Sequence, residues 1–117
     1  MIDFNPILKL EDGWYNGDGV APDKAWVRQF AQLWRQFWPR DLPEPLAFPT
    51  QEGNVLMEWF AYGHASVELD ITKETAQFHA WDKDGKSIER EFSIAASGSG
   101  VVEFFRFLAS YIRDNAA

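Results

Sequence analysis

The sequence predicts an α+β domain: an antiparallel meander of four to five strands with two helices packed on one face. Two apolar stripes with the period of a helix flank a central stretch in which apolar and polar residues alternate. Turn signals rich in glycine divide that stretch into short consecutive segments. The element order is therefore α-β-β-β-β-α, and 117 residues make a single domain over residues 1–117.

The first long helix is predicted to begin near Asp23 and to end near Phe37 or Trp38. Pro39 ends it, because proline lacks an N–H and clashes with the preceding turn. Asn5-Pro6 predicts a turn or two of helix before it, and the second long helix runs from Ser99, a candidate N-cap, to about Asp114. The apolar stripe of the first long helix is Trp26, Val27, Phe30, Leu33, Trp34 and Phe37.

Strands are predicted over residues 55–60, 65–72 and 76–81, followed by a last strand with Ile88, Phe92 and Ile94 on one face. Turns separate them at residues 52–54, at residues 62–64 and at a hairpin loop over residues 82–86. Residues 40–49 contain three prolines and are predicted to be extended. Within them, Leu46 and Phe48 are predicted as core contacts or as a short edge strand.

The composition limits the classes of partner. A formal net charge of −7 argues against nucleic acid, whose phosphates require clustered Lys and Arg, and favours a basic protein partner. The chain has no cysteine, so we expect a cytoplasmic protein without disulfides. We also expect no signal peptide and no membrane span, since no apolar run approaches about 18 residues.

The sheet face that points away from the helices is the predicted partner-binding surface. If the apolar residues of each strand point inward, Glu68, Asp70 and Gln77 share this outer side with Glu89 and Glu91. An exposed aromatic side chain among acidic groups is typical of a binding anchor. A plain solvated face is the alternative interpretation. The candidate partner-binding residues are Glu58, Glu68, Asp70, His79 and Trp81.

The stretch over residues 11–23 is predicted to be an irregular loop, because it holds three glycines among acids and two aromatics. Its length matches a calcium-binding loop, but Trp14 stands where an acidic ligand belongs. Its acids also exclude phosphate. We therefore expect a structural clasp with Trp14 mostly buried, and we keep Asp12, Trp14, Tyr15 and Asp18 as an alternative ligand site.

Catalytic and metal-binding signals are weak. The two histidines, His64 and His79, lack the spacing of a metal site, and a triad has no other recognisable member. We expect no metal and no cofactor. A small enzyme or ligand-binding domain with a pocket between the 11–23 loop and the sheet is the alternative to a binding protein. A self-associating protein that pairs through an edge strand is a third hypothesis.

Part of the chain resembles a widespread group of small uncharacterised bacterial proteins. Gly13-Trp14-Tyr15-Asn16-Gly17 with Ala21-Pro22 is similar to that group's Gly-Trp-Asp-Gly…Ala-Pro start. Pro49-Thr50 with Gly53 and Glu58-Trp59 is similar to its Pro-Thr-x-x-Gly-Gly…Glu-Trp strand. Tyr15 and Asn54 depart from the pattern. By analogy with small acidic proteins, the resemblance implies an immunity protein or antitoxin that neutralises a basic toxin, without enzymatic activity.

Overall fold

Five antiparallel strands form one sheet in which each strand pairs with the next along the chain. The structure is a computed structural model, and it describes residues 2–60, 64–82, 84–95 and 98–115. The described residues form the helices α1 (Asn5–Leu8), α2 (Lys24–Phe37) and α3 (Gly100–Asn115). The strands are β1 (Leu46–Pro49), β2 (Val55–Trp59), β3 (Ala65–Asp70), β4 (Thr75–Trp81) and β5 (Ser87–Ser93). The predicted α+β meander with its helices is confirmed, with β1 as its fifth strand.

Helix α2 begins and ends where the sequence predicts. The Asp23 side chain caps it by accepting a hydrogen bond of 2.9 Å from the backbone N–H of Trp26. At the other end Trp38 is already extended, because the residue before Pro39 is pushed out of the helical conformation. The side chains that α2 buries are Val27, Phe30, Ala31 and Trp34.

Alternation along the strands decides which face of the sheet is buried. Apolar residues at every second position of β2, β3 and β4 point towards α2 and α3 and are almost completely inaccessible. Strand β5 continues this face with Ile88 and Phe92, which pack against the core. Arg90 between them is exposed and interrupts this apolar row. The buried members in β2 to β4 are Val55, Met57, Trp59, Ala65, Val67, Leu69, Ala76, Phe78 and Ala80.

A cluster of tryptophans joins α2 to the sheet. The Trp34 ring stacks on Trp38, with centroids 4.6 Å apart, and lies 6.2 Å from the Trp59 ring of β2. Trp34 Nε1 donates a hydrogen bond of 2.8 Å to the Glu44 carboxylate, and Trp59 Nε1 donates one of 3.0 Å to the Pro43 carbonyl. The segment that leads into β1 is therefore tied to the core by two indole N–H groups.

Strand β1 resolves an alternative that the sequence leaves open. The side chains of Leu46 and Phe48 are 57% and 39% exposed, so residues 46–49 form the predicted edge strand and these two side chains are not core contacts. Ala47 is the β1 residue that packs inward. Of the predicted turns, residues 62 and 63 and Lys83 lie outside the described residues. Gly85 has the positive φ of +81° that the hairpin turn requires.

Tyr111 of α3 places its hydroxyl group in the interior, where no described residue is its hydrogen-bond partner. Its ring meets Phe78 of β4 edge to face, at 5.0 Å between centroids. Burial raises the pKa of the phenol, and the Asp82 carboxylate raises it further. The folded state therefore holds the phenolic proton more tightly than the unfolded state does. The stability that this phenol contributes is fully present below its unfolded pKa of about 10. That contribution is lost as the pH rises through the folded pKa.

Tyr111→Phe is expected to remove this alkaline loss of stability. At pH 7 the free energy of unfolding should change by less than about 1 kcal/mol, because the lost hydroxyl makes no hydrogen bond to a described residue. Urea denaturation of both proteins between about pH 8 and pH 11 measures the difference. Parallel stability curves over that range would contradict the prediction.

Candidate partner-binding face

The side chains that point away from the helices form rows across the five strands. We call this surface the outer face. Neighbouring strands lie about 4.8 Å apart, so a row that crosses all five strands is about 19 Å long. The first row is Phe48, Leu56, Glu68, Gln77 and Glu91, and the second is Leu46, Glu58, Ser66, His79 and Glu89.

Five carboxylates occupy outward positions of the strands. They are never direct cross-strand partners: Gln77 separates Glu68 from Glu91, and Ser66 and His79 stand between Glu58 and Glu89. Like charges directly opposite each other destabilise a sheet, and this spacing avoids that contact. The outer face therefore carries a high density of negative charge without its most unfavourable pairing. The five are Glu58, Glu68, Asp70, Glu89 and Glu91.

No lysine or arginine occupies an outward position of the five described strands. Arg90 alternates with the outward residues of β5 and is the cross-strand partner of the buried Phe78. Its guanidinium donates a hydrogen bond of 2.9 Å to the Glu89 carbonyl. This cation lies on the edge strand, where it lines an open depression of about 460 Å³ together with Gln77, His79, Glu89 and Glu91. Charges spaced within a Debye length of about 8 Å reinforce one another, so the outer face has a negative potential.

His79 and Trp81 are successive outward residues of β4. Their rings meet edge to face at 5.0 Å between centroids, and the Trp81 side chain is 44% exposed. The His79 Nε2 atom lies 3.9 Å from the Glu89 carboxylate, which is too far for a hydrogen bond. Gln77 Nε2 donates a hydrogen bond of 3.2 Å to Glu91. The structure thus places Glu58, Glu68, Asp70, His79 and Trp81 on one face.

The opposite end of each row is apolar. Strands β1 and β2 present Leu46, Phe48 and Leu56 outward, and Phe60 follows β2 with 55% of its surface exposed. We call these four residues the apolar half and the outward residues of β3 to β5 the acidic half; Glu58 of β2 is the one outward carboxylate that stands among the apolar residues. Leu46 and Phe48 are absent from the sequence-based candidates for binding. The alternation of Leu46 and Phe48 with Ala47 shows only that the two share a face, and the pairing with Glu58 and Leu56 of β2 decides that it is the outer face.

Family models, curated proteins and solved structures give no match to this chain.

The 11–23 loop is closed by its own backbone. Gly13 N donates a hydrogen bond of 2.8 Å to the Gly19 carbonyl, and Tyr15 and Asp18 form an isolated antiparallel bridge inside that closure. The Asp12 carboxylate accepts a hydrogen bond of 2.9 Å from Ala21 N. These bonds are those of a structural clasp, and they occupy one Asp12 oxygen that a ligand site would require.

Most of the Trp14 side chain is covered, as the sequence predicts, but the ring is not among those packed against the core. Its ring is partly exposed and lies over its own loop, where Nε1 donates a hydrogen bond of 3.1 Å to the Val20 carbonyl. A Cβ on Gly19 would lie 3.1 Å from that nitrogen, so glycine allows the indole to approach the backbone. The loop is instead fixed to the β1–β2 turn, because Val20 N donates to the Gln51 carbonyl at 2.8 Å.

The alternative ligand site gains no support from the cavities that are lined by described residues. None of the four best formed among these that we compared includes a residue of the 11–23 loop. Within the described parts of the chain, no group of three or more acidic or histidine side chains could hold a metal ion. Among the same residues, no helix has both the length and the apolar character needed to cross a membrane.

Proposed function

We propose that the protein binds a protein partner with a basic surface, and that the outer face is the binding site. The observation that carries the proposal is the charge distribution of this face: five outward carboxylates and no outward lysine or arginine on the five described strands. Complementary charges across an interface steer the encounter and exclude like-charged competitors. An acidic sheet of this kind favours a cationic surface over any other.

Trp81 is the proposed apolar contact at the centre of the binding energy, which the carboxylates alone do not provide. Tryptophan is enriched among the residues that dominate binding energy, because it buries a large area and still has an N–H to donate. Here the ring stands at the end of β4, half-exposed and held edge to face by His79. A partner that covers Trp81 also brings its own cations close to Glu89, the cross-strand neighbour of His79.

We further propose that the partner is a basic toxin and that this chain is its immunity protein or antitoxin, acting in a bacterial cytoplasm. The support is the outer face itself, which fits a cationic active-site surface, together with the resemblance of residues 11–71 to small bacterial proteins. The absence of cysteine is consistent with a reducing compartment. Binding would block the toxin by covering its active site, so no catalytic residue is required of this chain.

Charge reversal tests the proposal. Glu68→Lys combined with Glu91→Lys places two cations in one row of the outer face, on either side of Gln77. The partner captured from the source cells, once identified and purified, should be basic. Its affinity should fall steeply with salt and by on the order of 100-fold in this variant, because like charges in an interface cost several kcal/mol.

The control is Glu103→Lys combined with Asp114→Lys, which changes the net charge equally but on α3. Both side chains are exposed and belong to the other layer. At the two ends of the helix the new charges have opposite effects on the helix dipole, so stability should change little. An acidic partner, a salt-independent affinity, or equal losses in the two variants would each contradict the proposal. The antitoxin assignment fails by itself if the partner retains full toxic activity in the complex.

A further inference from the structure

We infer that the partner's contact surface is amphipathic, with apolar side chains that cover the apolar half of the outer face and lysines or arginines that cover the acidic half. This inference rests on the proposed function and adds the second chemical component of the interface. It assigns Leu46, Phe48, Leu56 and Phe60 to the binding site, beside the carboxylates.

Three of the four residues of the apolar half adjoin. Phe48 is the cross-strand partner of Leu56, and Leu46 is the next outward residue of β1, beside Glu58. On β2, Glu58 is the outward residue between Leu56 and Phe60. Leu46, Phe48 and Phe60 expose 57%, 39% and 55% of their surfaces. Single exposed apolar residues are ordinary on a protein surface, whereas a group of them on two neighbouring strands marks an interaction site.

The two halves are parts of one surface. Leu56 is the direct cross-strand partner of Glu68, so the apolar half ends where the acidic half begins, one strand spacing of about 4.8 Å away. A partner that binds to either half therefore also contacts the other half. The partner must consequently present apolar side chains next to its cations, since a purely cationic surface would leave the leucine and phenylalanine side chains exposed.

The area of the face requires both halves. Strands of 5 to 7 residues at about 3.3 Å per residue make the sheet roughly 20 Å long. The full width of about 19 Å then gives a flat area on the order of 400 Å², of which the acidic half supplies roughly 200 Å². A stable interface buries about 800 Å² on each partner. The whole flat face is only about half of that area and the acidic half about a quarter, so a stable complex covers both halves and continues beyond them.

An added β-strand from the partner does not explain the apolar half. Strand β1 has only four residues and ends at Pro49, and Pro43 and Pro45 precede it. Proline lacks the N–H that strand pairing requires, so this edge is a poor template for another strand. The contact is therefore made by side chains over the face.

The two halves should control different rate constants. Carboxylates act at long range and raise the association rate, with a strong dependence on salt. Apolar contacts form only after docking, so they slow dissociation. Substitutions in the apolar half should therefore change the dissociation rate at any salt concentration, whereas charge reversal in the acidic half should change the association rate.

Two synthetic peptides test the inference. One is an oligolysine, and the other is an amphipathic leucine–lysine peptide with the same number of lysines. Titrated into the ¹⁵N-labelled protein, oligolysine should shift the amide signals of the acidic half only. The leucine–lysine peptide should also shift those of Leu46, Phe48 and Leu56, and should bind on the order of tenfold more tightly.

Leu46→Ser combined with Phe48→Ser should remove that gain and leave oligolysine binding unchanged. The control is Phe37→Ser combined with Val102→Ser, which removes two partly exposed apolar side chains, 37% and 39% exposed, from the helical layer. Equal binding of the two peptides to the acidic half would overturn the inference and leave the proposed function standing. No shifts on the outer face with either peptide would overturn both. Concentration-dependent dimerisation abolished by Leu46→Ser with Phe48→Ser would assign the apolar half to a second copy and overturn the inference.

Discussion

Replacing Trp34 with alanine is expected to lower the free energy of unfolding by about 3–5 kcal/mol, the usual cost of removing a buried large aromatic side chain. The indole is 1% exposed and lies between the Trp38 ring at 4.6 Å and the Phe105 ring of α3 at 5.7 Å. The neighbouring elements hold their positions through their own contacts, so the alanine variant leaves a cavity that cannot close fully. Glu44 also loses the hydrogen bond from Trp34 Nε1.

The loss is measured by urea denaturation, with Trp81→Ala as the matched control. The two variants remove the same side chain, but Trp81 is 44% exposed on the outer face. We expect Trp81→Ala to change the free energy of unfolding by about 0.5 kcal/mol or less, as surface substitutions usually do. Equal losses in the free energy of unfolding of both variants would contradict the conclusion that Trp34 packs α2 on the sheet. Trp34→Phe, which keeps most of the apolar area, should lie between them.

Residue periodicity was sufficient to predict most of the fold. The stripe of α2, the Asp23 cap and the alternation of β2 to β4 are local signals, and each follows from the geometry of one element. The outer face followed from the same alternation, since the residues that do not face the helices must face away from them. The membership of Glu68, His79 and Trp81 in one surface was therefore predictable without knowledge of the tertiary contacts.

The features that the sequence left open or misplaced depend on contacts between distant segments. The four residues of β1 carry too short a pattern to decide between a buried and an exposed Phe48, and only pairing with Leu56 of β2 decides it. Trp14 was misplaced because a large aromatic side chain is assumed to reach the core. The hydrogen bond between Gly13 and Gly19 closes the loop so tightly that the indole covers the loop backbone instead. Neither the pairing of β1 with β2 nor the closure of the 11–23 loop produces a periodic pattern in the sequence.

Two backbone carbonyls at the free edge of β5 are covered by other groups of the described chain. Ile94 N donates a hydrogen bond to the Glu74 carbonyl, so the even-numbered residues of β5 bond to β4 and the odd-numbered backbone groups point to the free edge. The Arg90 guanidinium occupies the edge carbonyl of Glu89. The start of α3 at Gly100 lies against the edge carbonyl of Ser93. Two of the groups that a partner strand needs are thus already covered.

Gly100→Ala should disrupt that cover. A Cβ at this position would overlap the Ser93 carbonyl oxygen and lie 3.1 Å from its carbon, and both atoms are backbone, so no side-chain rotation relieves the contact. We expect a loss of about 1–3 kcal/mol, the range for overpacking a close contact. Urea denaturation measures the loss, and sedimentation measures any self-association through the uncovered edge.

Gly98→Ala is the control, two residues away. A Cβ there would lie 3.6 Å from the Ala95 carbonyl oxygen, an ordinary contact, so this variant should be neutral or gain about 0.4–1 kcal/mol by restricting the unfolded chain. Equal losses in both variants would mean that the segment before α3, and not the contact with Ser93, sets the cost. Gly100→Ala could also destabilise the protein and leave it strictly monomeric. That result would show that Arg90, Glu89 and Glu91 keep this edge from pairing without the help of α3. The reason is that like charges brought together across a new strand pair repel.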